Sequence, residues 1–183
     1  MDTEKHYEMI TDYVTGKRIP DVGAEANRQA VERVLVEQKG YSASDIAVGM
    51  PVEFAAAGSR YASAVDLVVF ADSRPFMVIK CAAGSLDSRK KEAVAAARIL
   101  FDSVVPFAAA SDGQTALVFD AVSGKQTGQG MDALPDSKTA IKMIKKIEPF
   151  FLPENRLEKE RIIFRSYDIM NVNVCRPENP GSS

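Results

Sequence analysis

The sequence predicts an α/β domain in which helices flank a mixed β-sheet. Short apolar runs suited to strands alternate with longer segments whose apolar residues recur at helical spacing. Their order is helix, three strands, helix, two strands and then further helices, and runs of strands around single helices are typical of a mixed sheet covered by helices. A length of 183 residues suits one domain and is enough to bury a core. We therefore expect one domain over residues 1–183, with a core at 24–128 and a helical extension at 135–172.

The first predicted elements are a short helix, a loop and a long helix. Residues 6–14 fit a short helix, and the Gly and Pro that follow predict a loop at 15–21. Residues 24–39 give the first strong helical pattern, and Gly40 is a suitable stop. The apolar stripe of this helix consists of Ala30, Val31, Val34 and Leu35.

The next segment predicts three strands. Residues 46–54 fit a strand, and the Gly, Ser and Ala that dominate 55–63 predict a turn. Residues 65–71 and 75–81 are apolar on both faces, which is typical of central strands, and 72–74 would join them as a hairpin.

The rest of the chain predicts a second long helix, two strands and two final helices. The helix is expected at 87–101, with an alanine-rich apolar stripe. Two short strands follow around a turn that contains Asp112 and Gly113. Prolines separate the two final helices. The expected ranges are 107–110 and 115–119 for the strands, and 137–147 and 154–170 for the helices.

Composition excludes several classes of protein. The chain has 23 Lys and Arg against 25 Asp and Glu, and its net charge of -2 excludes a globally basic nucleic-acid-binding domain. No apolar run approaches the roughly 20 residues that span a bilayer, so no membrane partner is expected. The two cysteines, Cys81 and Cys175, form no disulfide framework, and a reducing cytoplasm is the expected location.

Most catalytic motifs are absent from the sequence. It contains no phosphate-binding glycine loop, no dinucleotide fingerprint and no zinc-ligand cluster. The single histidine, His6, lies in a polar stretch and is expected to be exposed, which argues against histidine-based catalysis.

Two charged residues interrupt the central apolar strands. If 72–74 forms the hairpin loop, Ala71 opposes Pro75, and Asp66 then opposes Lys80 on the same face. A charge inside such a run is costly unless it is paired or solvated. We therefore expect an ion pair between Asp66 and Lys80.

These strands and their surroundings resemble the N-terminal nuclease domain of type I restriction enzyme R subunits, the HsdR N-terminal family. That family belongs to the PD-(D/E)XK, or restriction endonuclease-like, superfamily. The resemblance implies a restriction endonuclease-like αβββαβ core, which agrees with the order of elements above. Because no helicase segment follows, we expect a stand-alone version. The segments that carry the resemblance are 13–17, 28–29, 36–41, 65–70, 75–81, 111–113 and 119–125.

The resemblance also implies a catalytic pattern that this chain only partly keeps. Members that cut DNA carry an Asp on the second strand and Glu-x-Lys on the third; the acids bind Mg²⁺, and the Lys positions or activates water. Asp66 matches the Asp and Cys81 matches the middle residue, whereas Lys80 stands at the Glu position and Ala82 at the Lys position. Lys80 places positive charge where the metal would lie, so we expect the Asp66–Lys80 ion pair in place of a metal site, and no cofactor.

A rearranged active site is the alternative. Glu25 on the first helix could supply a second acid, and Lys90 or Lys91 on the second helix could replace the missing lysine, with Mg²⁺ as cofactor. Glu25 equally fits an ordinary helix start, where the positive end of the helix dipole stabilises a carboxylate. The two lysines equally fit a helix face exposed to solvent. Arg60, together with Lys90 and Lys91, is a candidate DNA contact.

Three functions remain open at this point. The first is a catalytically degraded nuclease-like domain that binds DNA or a protein partner. The second is an active Mg²⁺-dependent DNA endonuclease that uses Asp66, Glu25 and a displaced lysine. The third is a structural protein that forms a homodimer or larger assembly through its last helices. The apolar residues expected at that interface are Ile162, Ile163, Phe164 and Tyr167.

Overall fold

The computed structural model describes residues 7–171 and opens with a small hairpin that the sequence did not predict. Strands β1 (Met9–Thr11) and β2 (Arg18–Pro20) pair antiparallel, so the expected helix at 6–14 is wrong. Of the expected loop at 15–21, residues 15–17 belong to the turn between the strands, but 18–20 form β2. The physical reason is local hydrogen bonding in the turn. Asp12 Oδ1 accepts bonds from the Thr15 amide at 2.6 Å and from its hydroxyl at 2.7 Å, an arrangement that competes with helix formation.

The long first helix is confirmed. It consists of α1 (Glu25–Arg33) and a π-helical turn at Val34–Gln38, and Gly40 follows in the left-handed conformation expected of a helix stop. A short 3₁₀ turn at Ala43–Asp45 then leads into the sheet.

A six-stranded mixed sheet forms the centre of the fold. Its strands lie in sequence order; β5 and β6 pair in parallel, and all other neighbours pair antiparallel. The parallel pair requires a crossover, and helix α2 (Asp87–Ile99) supplies it. The strands are β3 (Ile46–Ala56), β4 (Ser59–Ala71), β5 (Arg74–Cys81), β6 (Phe107–Ser111), β7 (Ala116–Asp120) and β8 (Gln126–Gln129).

Helices cover both faces of the sheet, with a core on each side. Alternate residues of β4 and β5 face opposite ways, so Leu67 and Ile79 pack with α1 and with α3 (Ser137–Ile144). Val68 and Val78 pack with α2 and with α4 (Glu154–Asn171). Both central strands are therefore apolar on both faces, as predicted.

The turns of the sheet differ from the prediction in two places. The expected turn at 55–63 shrinks to two residues, because β3 and β4 extend to Ala56 and Ser59. In the next hairpin, Asp72 and Ser73 adopt positive φ, and Ala71 pairs with Arg74 rather than with Pro75.

A bulge then corrects this register. It lies between Val69 and Phe70, so that Leu67 pairs with Ile79. Asp66 therefore lies beside Lys80 as expected, although the hairpin turn is one residue shorter.

Other boundaries also shift. Helix α2 ends at Ile99 and α3 at Ile144, both earlier than predicted. Strand β8 was not predicted. Among the described residues no helix is long and apolar enough to cross a membrane. Cys175 lies outside the described residues.

Candidate functional site

Lys80 lies at the centre of a buried group of charges at the end of β5. Its side chain is only 4% exposed, and its ammonium lies 3.0 Å from Glu92 Oε1. Asp66 Oδ1 is 3.6 Å away and Asp168 Oδ1 is 3.9 Å away. The ammonium also donates to the carbonyl oxygen of Ala64 at 3.4 Å. The ion pair expected between Asp66 and Lys80 is present, as one of three.

Four elements bring these residues together. Asp66 comes from β4, Lys80 from β5, Glu92 from α2 and Asp168 from α4. Sequence reasoning missed Glu92 and Asp168. Each carried a weak signal, because Glu92 directly precedes the alanine run of α2, and Asp168 lies one helical turn after the buried Phe164.

The carboxylates keep Lys80 charged. Burial alone lowers the pKa of the ammonium, but the negative charges of Asp66, Glu92 and Asp168 outweigh it, and the net pKa is raised above the usual value. The group is therefore a buried cation that faces a carboxylate on each of three sides.

Further donors hold each carboxylate in place. Arg89 donates to Glu92 Oε2 at 2.9 Å, and the Cys81 amide donates to Asp66 Oδ2 at 2.6 Å. Two hydroxyl groups donate to Asp168 Oδ2, from Tyr61 at 2.5 Å and Ser63 at 2.6 Å. The three carboxylates are thus oriented by groups other than Lys80, which makes the arrangement rigid.

This arrangement does not fit a magnesium ion. Mg²⁺ requires convergent oxygen ligands at about 2.0–2.1 Å in octahedral geometry, and here an ammonium occupies the point on which the oxygens converge. Within the described part of the chain, no group of three or more His, Cys, Asp or Glu residues is arranged to hold a metal. The donor set is that of an internal salt bridge.

Glu25 lies close to Asp66 but already forms an ion pair with Arg28. A cavity of about 150 Å³ is lined by Asp66, Glu25 and Arg28, so the structure does bring the two carboxylates to one place. Glu25 forms an ion pair with Arg28 and accepts a hydrogen bond from Gln29 Nε2 at 3.1 Å. The acid that a rearranged site would need therefore already pairs with an internal cation.

Arg28 in turn belongs to a second buried charge cluster. Its guanidinium lies 2.8 Å from Asp12 and also pairs with Glu32, a residue with no exposed surface. Burial raises the pKa of Glu32 to about 7, and the attraction of Arg28 offsets this only in part. This cluster joins the N-terminal hairpin to α1.

The remaining candidate residues lie apart from Asp66. Lys90 pairs with Asp87 at 2.7 Å on its own helix, and Lys91 is 6.0 Å from the ring centroid of Tyr167. Neither lysine lines the cavity beside Asp66. Arg60 is 79% exposed on the β3–β4 hairpin, where it pairs with a glutamate of the neighbouring strand.

The fold and the site together define a restriction endonuclease-like domain in which a lysine lies at the centre of the acidic site. The family model for the type I restriction enzyme R protein N terminus (HSDR_N) matches residues 23–135, which is more than half of the chain. The chain belongs to this family. No curated protein and no solved structure matches it. The matched range contains Asp66, Lys80 and Glu92, but it ends before Asp168.

Proposed function

We propose that this domain does not cleave DNA and acts by binding a partner, with the Lys80 ammonium serving as a permanent substitute for the metal ion. The observation that supports this proposal is the position of Lys80, between Asp66, Glu92 and Asp168 with 4% of its side chain exposed. A general base for water must reach both water and substrate. A buried, charged ammonium satisfies neither condition.

The state of Glu25 supports the same proposal. Activity through a rearranged site requires a second free carboxylate beside Asp66, and Glu25 is the acid that shares its cavity. Its ion pair with Arg28 would have to break before it could bind a cation. Both acids therefore face internal positive charge.

A plasmid-cleavage assay tests the absence of nuclease activity. The chain is incubated with supercoiled plasmid in Mg²⁺ and in Mn²⁺, beside the Asp66→Ala variant. We expect no nicking or linearisation above the level of the variant in either metal. Cleavage that disappears in Asp66→Ala would show an active endonuclease and overturn the proposal.

Duplex DNA is the partner that family membership favours, and Arg60 is the basic residue best placed to contact it. Its guanidinium is exposed on the β3–β4 hairpin. Arg165 lies nearby: it donates to the carbonyl of Ala56 at 3.1 Å and lies 5.5 Å from the ring centroid of Tyr61. Arg60 and Tyr61 are consecutive residues of β4, so their side chains point to opposite faces of the hairpin, with Arg165 on the Tyr61 side. Exposed basic side chains at such a hairpin suit contacts to a phosphate backbone.

Fluorescence anisotropy with labelled duplex DNA tests this partner. We expect Arg60→Glu to weaken binding to all DNA sequences alike and to reduce its salt dependence. Arg156→Glu, the same charge change at an exposed position of α4, is the matched control. Equal affinity in both variants would exclude this DNA contact and favour a protein partner.

A further inference from the structure

A second cavity lies away from the Lys80 site. Its volume is about 370 Å³, and it opens between α2, α4 and the turn that follows β7. It shares no lining residue with the cavity beside Asp66. Sites for small organic ligands commonly have volumes of about 300–1,000 Å³, so this cavity is large enough for a small molecule.

The floor of this cavity is apolar. It is formed by Val94 of α2, Phe119 of β7 and Ile163 of α4. Phe119 is only 4% exposed and Val94 only 9%, so the ring and the methyl groups are fixed by the core beneath them. A ligand with an apolar body would gain free energy by replacing water on this floor.

The rim carries surplus positive charge. Lys90, Val94 and Arg98 follow at intervals of four residues and so lie on one face of α2, with Lys91 beside them. Glu160 is the acid in the lining, and Arg98 neutralises it at 2.7 Å. Lys90 also pairs with Asp87 at 2.7 Å, just outside the lining, whereas Lys91 meets no acid within the lining and lies 6.0 Å from the ring centroid of Tyr167. The surplus positive charge of the rim is therefore centred on Lys91.

The Arg98 guanidinium is held rigidly at the base of the rim. It donates to the carbonyl oxygens of Ala121 at 2.7 Å and Val122 at 3.0 Å, in addition to Glu160. The cavity wall therefore exists before any ligand binds, which lowers the entropy lost on binding.

We propose that this cavity binds a small organic anion, with an apolar body against Phe119 and a carboxylate or phosphate near Lys90 and Lys91. The apolar floor favours the apolar body of the ligand, and the lysine ammonium groups on the rim favour its negative charge. The inference is independent of whether the domain binds or cleaves DNA.

Binding of three compounds that share one ring system tests this site. Isothermal titration of the full chain with 2-naphthoate, 2-naphthyl phosphate and uncharged 2-naphthol separates the contribution of the charge from that of the ring. We expect both anions to bind at least about ten-fold more tightly than the alcohol, which corresponds to roughly 1.4 kcal/mol. The tighter of the two anions identifies the head group. Equal affinity for all three compounds, or no binding, would overturn the proposal.

Variants locate the binding to this cavity. Replacing Lys90 and Lys91 together by Ala should weaken anion binding about ten-fold or more, and Ile163→Phe should weaken it further by filling the floor. The matched control replaces Lys142 and Lys146, which are exposed on the other face of the sheet, and should leave affinity unchanged. A similar loss in both pairs would show non-specific attraction to lysines and contradict the assignment.

Discussion

Lys80 is stable as a buried cation because its partners are fixed independently of it. Hydroxyl, amide and guanidinium donors orient the three carboxylates, so their charges point at the ammonium without further ordering. Removing one partner of such a group leaves the others uncompensated, which commonly costs about 3–5 kcal/mol. The chain thus depends on Lys80 for stability.

We predict that Lys80→Ala makes stability dependent on divalent cations. The variant should lose several kcal/mol, because Asp66, Glu92 and Asp168 are left facing one another, and Mg²⁺, Mn²⁺ or Ca²⁺ should restore part of it. Thermal unfolding with and without each metal measures this effect.

The exposed Lys138→Ala is the control for Lys80→Ala and should show neither change. If divalent metals stabilise Lys80→Ala no more than they stabilise the unmodified chain, the ammonium does not occupy the position of a metal ion.

Glu32 makes stability depend on pH near neutrality. Burial raises its pKa from an ordinary 4.5 to about 7, despite Arg28. The folded state therefore binds a proton that the unfolded state releases over this range. The free energy of unfolding should fall as pH rises from about 4.5 to about 7, by roughly 3 kcal/mol in total.

Glu32→Gln tests the assignment of this slope, because its neutral amide resembles the protonated acid. Urea unfolding at a series of pH values should give a flatter profile for Glu32→Gln than for the unmodified chain. Glu158→Gln, an exposed position on α4, should keep the original profile. An unchanged slope in Glu32→Gln would assign the pH dependence to other groups.

Part of the site could be predicted at the scale of residues. The Asp66–Lys80 pair followed from strand register, because opposite residues of adjacent strands are close whatever else the fold does. Glu92 and Asp168 did not follow, since their contacts depend on where two helices dock on the sheet. A local pattern shows which face of a helix is buried, but not which charge it meets there.

At the scale of elements, apolar periodicity predicted the long helices and the central strands. It failed at β8, whose residues Gln126–Gln129 contain no apolar side chain and which is held by pairing with β7 at the edge of the sheet. It also failed at the N-terminal hairpin, where Asp12 hydrogen bonds rather than apolar spacing decide the structure.

We predict that Asp12→Ala loosens the N-terminal hairpin. Asp12 is 1% exposed, accepts two hydrogen bonds from Thr15 and pairs with Arg28. Its loss therefore removes both the hydrogen bonds that hold the turn and the ion pair that joins the hairpin to α1. Amide exchange should accelerate at β1 and β2, with a loss of about 1–3 kcal/mol.

Asp12→Asn separates the two contributions of Asp12, because it keeps an acceptor for Thr15 but removes the charge that faces Arg28. We expect slower exchange in the hairpin of Asp12→Asn than in that of Asp12→Ala. Unchanged exchange in both variants would show that β1 and β2 are held by other contacts.

At the scale of the whole molecule, α4 is part of the core. It lies outside the range matched by the family, yet Phe164 has no exposed surface and Asp168 completes the contacts of Lys80. Phe164 therefore cannot supply the intermolecular contact expected of it. The apolar side chains that α4 does expose are Ile162, Ile169 and Met170.

This placement gives a prediction about Phe164→Ala. Phe164 packs 6.0 Å from the ring of Phe54 and contacts the alanine face of α2, so truncation leaves a cavity and should lower the free energy of unfolding by about 3–5 kcal/mol. Ile162→Ala, at a position 44% exposed on the same helix, should change it by less than about 0.5 kcal/mol. Because the lost contacts are intramolecular, the Phe164→Ala effect should be the same at all protein concentrations. A midpoint that rises with concentration in the unmodified chain but not in Phe164→Ala would instead place Phe164 in an interface between copies.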